Sequence, residues 1–274
     1  MWLINFMHRF YCPQADFASK VIQIADPHEI HHIKDVLRLK KGSEVCVFNG
    51  KGGEALAMIE EVRDTAVRLQ VRSVREKGRP FDSAQGKEGR PRIILACAVP
   101  KKAKFEFILE KATELGVDVI IPLKTKRTEV IFTEDKQRAK QERFQKIVLN
   151  AAKQCGRADI PRISLMTPLA EALKGLDPQG LAVIPSLNGH NSPIREVLDI
   201  HQKPVSVTFL IGPEGDFTPD EVALAEEHGC IPVSLGPTVL KVDTAALAVL
   251  ALANFYWDDP SASLRVNPEC QSKG

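Results

Sequence analysis

The sequence has six cysteines in 274 residues, and none of them form a C-x-x-C pair. Cys12, Cys46, Cys97, Cys155, Cys230 and Cys270 are scattered along the chain, which argues against a disulfide framework and against a cysteine-based zinc site. Long hydrophobic runs are also missing. The most apolar helical stretch, Ala245 to Trp257, falls well short of the ~20 residues that cross a bilayer, so no membrane partner is expected. The opening MWLINFMHRF lacks the basic start and the apolar length of a secretion signal, and the expected location is cytoplasmic. Charge of one sign is scarce as well. A formal net charge of +2 and a pI near 8.2 mean that any nucleic-acid contact must come from local clusters. Neither G-x-G-x-x-G nor a loop ending in GK[ST] occurs, which sets aside a Rossmann dinucleotide site and a P-loop. His28, His31 and His32 lie close together, but no cysteine or carboxylate cluster joins them, so no metal site is expected.

What is present is an ordinary globular balance, 44% hydrophobic and 26% charged. From Lys101 to Arg162 there are 15 Lys+Arg against 9 Asp+Glu, a local excess of +6 that suits either phosphate contact or the solvated face of charged helices. Residues 1–74 are β-rich with one helix. His28–Lys40 has Ile30, Ile33, Val36 and Leu37 at helical spacing, with Gly42 beyond its end. Asn49–Gly53 is a hairpin turn between two strands, and Ala66–Val74 alternates as a third. Short strands connected in this way predict a small barrel or sandwich. Residues 75–92 carry no apolar periodicity and are expected to be an exposed linker or insertion at a domain boundary.

From Ile93 the pattern becomes strand–helix alternation, with continuous apolar strands at Ile93–Pro100, Val117–Leu123, Leu181–Pro185, Val205–Ile211 and Ile231–Leu235. Helices are predicted between them, one placing Phe105, Ile108, Leu109, Ala112 and Leu115 on one face and another running from about Thr133 to Cys155. Such strands are covered on both faces, so the class is α/β with a mostly parallel sheet.

The stretch Phe209–Tyr256 organises the second half. It holds a strand, the loop Gly212-Pro213-Glu214-Gly215, a helix, a second strand, a second glycine-containing loop at Ser234–Pro237 and an apolar closing helix. Thr218-Pro219-Asp220-Glu221 has the spacing of a capping box with proline at the first helical position, and its part is structural: it fixes the loop before it. Loops after the C-terminal ends of parallel strands are where open α/β sheets bind ligands. Two of them close in sequence suggest one pocket built largely from backbone.

GPEG-x-F-[ST]-P-x-E, followed by V-x-L-G-P-x-[VI]-L-[KR]-x-[ED]-T-A, resembles the SPOUT superfamily of S-adenosyl-L-methionine (SAM)-dependent RNA methyltransferases. More narrowly, it is similar to the bacterial family that methylates N3 of a specific uridine in 16S ribosomal RNA. The likeness extends to His8-Arg9-Phe10-Tyr11, to the block from His32 to Leu39, to Phe48–Gly53, to Glu110–Gly116 and to Ala151–Arg157, and so covers most of residues 7–257.

The resemblance implies a trefoil-knotted, mostly parallel sheet over residues 93–258, preceded by a PUA-like RNA-binding β-barrel and followed by a tail at 259–274. It implies SAM between the knot loops, at Gly212, Glu214, Gly215, Leu235, Gly236, Leu240, Thr244 and Ala245, with Pro185 and Ser186 from the preceding strand. It also implies a homodimer acting on 16S rRNA in the small ribosomal subunit, with the closing helix available either as a dimer face or as core. For RNA docking it points to Arg9, His32 and Arg38 in the barrel, and to Arg127 and Arg157 in the second domain. The chain departs from the family pattern at three places. Asp216 stands where a second glycine is usual, Lys241 replaces an arginine, and Val242-Asp243 replaces a Thr-Glu pair. Uridine N3 must lose a proton as it takes the methyl group. Lys241 is expected to stabilise charge on the uracil carbonyls, and Asp243 or Glu214 to assist proton removal. A non-catalytic RNA-binding assembly factor, or a methyltransferase with another RNA target, remains open from sequence.

Overall fold

The structure is a computed structural model that describes residues 7–76, 90–100, 104–128, 134–187 and 191–257. It divides into two compact units, one drawn from Met1–Ser83 and Leu149–Ile160, the other from Ala84–Val148 and Pro161–Gly274.

The first unit is a five-stranded sheet in the order β1-β3-β4-β5-β2, formed by β1 (Arg9–Tyr11), β2 (Val21–Ile24), β3 (Glu44–Phe48), β4 (Gly53–Val62) and β5 (Val67–Glu76). Only the β1–β3 pair is parallel. Alternation along β4 buries Ala57 and Ile59, which join Phe10, Ile24, Val45, Val47, Val67 and Leu69 in one core. The hairpin at Asn49 forms as its letters predict. The Asn49 side-chain oxygen accepts from the amides of Lys51 at 2.8 Å and Gly53 at 3.1 Å. Residues 158–160 then bond to the turn backbone, Gly52 N–H to the Ala158 carbonyl and Ile160 N–H to the Gly50 carbonyl.

The predicted His28–Lys40 helix is shorter and less regular than its spacing suggests. Helix α1 (Pro27–His31) is capped by Asp26, whose carboxylate accepts from the amides of His28 and Glu29. A π-helical turn over His32–Val36 follows, and the helix is finished by Arg38 at a φ of 52°. Val36, placed on the apolar face by its spacing, is 57% exposed because the π-turn rotates it outward. The expected linker at 75–92 falls largely outside the described residues. Its ends do not: β5 runs on to Glu76, and Arg90 is buried.

The second unit is an all-parallel sheet in the order β11-β13-β10-β12-β6-β7-β8, with β9 beside β7. Its strands are β6 (Arg92–Ala98), β7 (Val119–Lys124), β8 (Arg162–Ile163), β9 (Thr167–Pro168), β10 (Leu181–Pro185), β11 (Ser192–Pro193), β12 (Ser206–Ile211) and β13 (Ile231–Ser234). The helices are α2 (Lys104–Glu114), α3 (Glu134–Cys155, whose residues from Leu149 on belong to the first unit), α4 (Leu169–Lys174), α5 (Ile194–Ile200), α6 (Pro219–Glu227) and α7 (Val242–Trp257). Every residue of β12 is buried, which requires cover on both faces of the sheet. Helices α4 and α6 pack on Ala96, Ile184 and Leu210, whereas α7 packs on α2, β6 and β12. The starts of β6 and β7 are pinned by one buried carboxylate. Asp118 pairs with Arg90 at 3.0 Å and accepts from the Ile93 amide at 2.8 Å. After β12 and α6 the chain crosses β10 to lay down β13 on its other side, which creates a switch point at the C-terminal edge of these strands.

Candidate active site

The C-terminal ends of β10, β12 and β13 open into a cavity of about 330 Å³. Three stretches far apart in sequence wall it: Pro185-Ser186-Leu187 after β10, Ile211–Glu214 with Asp216 after β12, and Val233–Gly236 with Thr238–Val242 after β13. Lys104 from α2 and Ala245 from α7 complete the lining. Ile211, Val233, Leu235, Leu240, Val242 and Ala245 make an apolar interior, and Lys104, Glu214, Asp216 and Lys241 supply the charge. The size and mixture match small-molecule sites in general.

Local chemistry explains why these loops hold their shape. A side chain at Gly212 would put its Cβ 3.1 Å from the backbone and ring of the fully buried Phe217, a contact that would push Phe217 aside by a few tenths of an ångström, so glycine suits this tight turn. Gly236 holds a φ of 134°, which L side chains rarely adopt. The loop after β12 is anchored by the capping box its sequence announces. The Thr218 hydroxyl accepts from the Glu221 amide at 3.3 Å, and the Glu221 carboxylate accepts from the Thr218 amide at 2.9 Å. The other Glu221 oxygen accepts from the Lys126 amide at 2.7 Å, tying in the segment after β7. Arg127 from that segment donates to the Gly215 carbonyl. Beneath the loop, burial first and the Glu214 charge second push the Cys97 thiol well above its usual range, so this cysteine is neutral filling.

The structure brings together Pro185, Ser186, Gly212, Glu214, Leu235, Gly236, Leu240, Lys241 and Ala245 on one cavity. Gly215, Asp243 and Thr244 are not part of its lining. Gly215 is exposed beside Arg127, and Thr244 is exposed on the first turn of α7. Asp243 is half-buried, and its Oδ1 is buried with no hydrogen-bond partner among the described residues. An orphaned carboxylate oxygen is costly to keep, which sets Asp243 apart from an ordinary helix-start acid. Leu187 extends the expected Pro185-Ser186 wall by one residue, and Lys104 lines the cavity although nothing in its sequence surroundings pointed to it. Lys104 lies 81 positions before Pro185, and only the sheet order relates them.

The residues expected at RNA differ in exposure. The Arg9 side chain is 7% exposed and pairs with Glu54 at 3.0 Å. It also donates to the Arg157 carbonyl at 3.0 Å and lies 5.2 Å from the centre of the Phe48 ring. Arg157 is 10% exposed and paired with Asp159. The Arg9 guanidinium ties residue 157 to the β-sheet of the first unit, and the Arg157 guanidinium bonds Asp159 two positions on. His32, Arg38 and Arg127 are exposed. His32 stands edge-on to Phe10, with ring centres 5.9 Å apart. Among the described residues there is no cluster of three His, Cys, Asp or Glu able to hold a metal, and no helix is long and apolar enough to cross a membrane.

Comparison with known proteins gives consistent results. Residues 87–254 match the family described as RNA methyltransferase domain, and residues 24–72 match the RNA methyltransferase PUA domain. The chain is 31% identical to Ribosomal RNA small subunit methyltransferase E of Synechocystis over 82% of this chain and 70% of that protein. It is 28% identical to the protein of the same name from Bacillus subtilis, over 83% of this chain and 87% of that one. Among solved structures, Ribosomal RNA small subunit methyltransferase E from Neisseria gonorrhoeae bound to S-adenosyl methionine superposes with a TM-score of 0.79 at 25% identity, covering 92% of this chain and 98% of that chain. A Legionella pneumophila structure in complex with SAM superposes with a TM-score of 0.78 at 31% identity, covering 91% and 97% of the two chains.

Proposed function

The chain belongs to the RNA methyltransferase family, and from that premise we propose that it uses SAM to methylate N3 of a uridine in 16S rRNA of the small ribosomal subunit. The observation that carries this reading is convergence. Three stretches separated in sequence line one cavity at the strand ends, and two of them carry the motifs that resemble the uridine-N3 family.

The residues present fit SAM. Leu235, Leu240, Val242 and Ala245 offer apolar surface to an adenine, and Glu214 offers negative charge to a cationic ammonium or sulfonium. Bound there, SAM would supply an electrophilic methyl group. Lys241 lines the same cavity and is exposed, so its ammonium is free to meet the O2 or O4 of an incoming uracil and stabilise the charge that builds as N3 loses its proton. Asp243, with its unpartnered Oδ1 two residues away, is the candidate to take or relay that proton. The uridine must be unpaired or flipped, because N3 lies on its pairing edge. Exposed His32, Arg38 and Arg127 are the candidate RNA contacts. The homodimer and the trefoil knot implied by the resemblance belong to this proposal, as does a cytoplasmic location beside the ribosome.

The test supplies methyl-labelled SAM and small ribosomal subunits from a strain lacking the modification, and then maps the labelled nucleotide by mass spectrometry. Label on uridine N3 of 16S rRNA is expected. Label on another nucleotide refutes the assigned target, and absent SAM binding in calorimetry refutes the enzyme reading. Lys241→Ala is expected to lower the methylation rate roughly 100-fold or more with SAM affinity unchanged. An unaltered rate removes Lys241 from the chemistry.

A further inference from the structure

Asp216 occupies a backbone conformation that glycine would take more easily. Its φ is 60°, and the only other described non-glycine residue with positive φ is Arg38. Aspartate is among the few residues that tolerate this region, because its short carboxylate can bond the local backbone. Here the carboxylate accepts from two backbone amides. Oδ1 accepts from the Phe217 amide at 2.8 Å, and Oδ2 accepts from the Leu187 amide at 2.9 Å. The first bond is local. The second joins residues 29 positions apart, linking the loop after β12 to the segment after β10.

Both ends of this link line the cavity. On the Asp216 side, its own amide donates to the Pro213 carbonyl at 2.9 Å, which closes the turn around Pro213-Glu214-Gly215. On the other side, the Ser186 amide donates to the Val233 carbonyl at 3.3 Å and the Ser186 carbonyl accepts from Asn191 at 2.8 Å, so Ser186 is fixed by its own bonds. Leu187 is the next residue out, and its side chain is 61% exposed. Its amide is held by Asp216. A glycine at 216 could keep the turn but would offer no acceptor across the gap.

We propose that Asp216 is a positioning residue, a carboxylate clasp that fixes the Pro185–Leu187 wall against the Gly212–Phe217 loop and so controls how readily SAM enters and leaves. This inference rests on the SAM reading of the cavity. The N–H bonds to a carboxylate are charge-assisted and stronger than those to a neutral oxygen. Removing the acceptor therefore frees the Leu187 amide, and with it the rim of the cavity.

The test uses the full chain with Asp216→Gly, which relieves the backbone, and Asp216→Asn, which keeps a weaker, neutral acceptor. Without cofactor, amide hydrogen exchange at Leu187 should rise roughly tenfold or more in Asp216→Gly and less in Asp216→Asn, with the α6 amides unchanged. In stopped-flow displacement, SAM dissociation should accelerate in the same order. Unchanged exchange at Leu187 in Asp216→Gly overturns the clasp. Raised exchange with an unaltered SAM dissociation rate overturns its control of the cofactor. Wild-type protein that takes up no SAM refutes the proposed function itself, and the cofactor-free exchange measurement still decides whether the clasp exists.

Discussion

Arg9 and Arg38 are the same residue type in the same unit, each placed near RNA by a motif, and the folded chain uses them in opposite ways. Arg9 is sealed against Glu54, Phe48 and the Arg157 carbonyl, whereas Arg38 projects from the end of the π-turn into solvent. Arg9→Ala leaves the Glu54 carboxylate in a site 3% exposed, and stability is expected to fall by roughly 3–5 kcal/mol in urea titrations of the whole chain. Arg38→Gln is expected to leave the urea midpoint within about 0.5 kcal/mol and to weaken 16S rRNA binding at fixed salt, with a shallower salt slope. If Arg9→Ala instead lost RNA affinity at unchanged stability, the buried-pair account would be wrong. No single-letter property separates these two arginines. The difference lies in which residues fold over them, and Glu54 is 45 positions from Arg9.

At the scale of elements, whatever is written locally was legible. The capping box at Thr218, the Asn49 turn and the buried strands β6, β7, β10 and β12 all declare themselves within about ten residues. The short strands β1, β2, β8, β9 and β11 went unseen, because two to four residues carry no periodicity and are strands only by virtue of their neighbours. The α1 pattern misled for a related reason: apolar spacing fixes a face, but the switch to a π-turn is a backbone event. The cap of α6 shows the same division between local and distant. Thr218→Ala removes a local bond and is expected to cost about 1 kcal/mol. Glu221→Ala removes two, one of them to the Lys126 amide 95 positions away, and is expected to cost roughly 2–3 kcal/mol because two donors lose their acceptor beside a buried side chain. Chemical denaturation of the two variants gives the comparison. Equal losses would mean that the Lys126 bond contributes nothing.

For the whole molecule, motif resemblance singled out residues of the cavity, but not how its walls meet. That Leu187 faces Asp216, and that Lys104 joins the lining, follows from the order β13-β10-β12-β6, which places distant strand ends side by side. The same order brings α2 and α7 together on one side of the sheet, and this pair carries the last prediction. Phe107 on α2 and Phe255 on α7 are 46% and 47% exposed, and Phe255 stacks edge-on to Tyr256 with ring centres 6.0 Å apart. Large aromatic surface left open on a packed helix pair is costly in water and is typical of association faces. If the proposed homodimer buries these exposed aromatics, sedimentation equilibrium should return about twice the chain mass of 30.3 kDa at micromolar concentration. Phe255→Glu buries a charge in the pairing surface and should shift the protein to monomer. Phe107→Glu should act in the same direction. SAM affinity measured on the monomeric variants then reveals whether the cavity needs its partner: retained affinity makes each chain self-sufficient for the cofactor, and lost affinity makes the partner part of the site. Wild-type protein that sediments at 30.3 kDa throughout rules out the dimer, and a Phe255→Glu protein that remains dimeric moves the interface elsewhere.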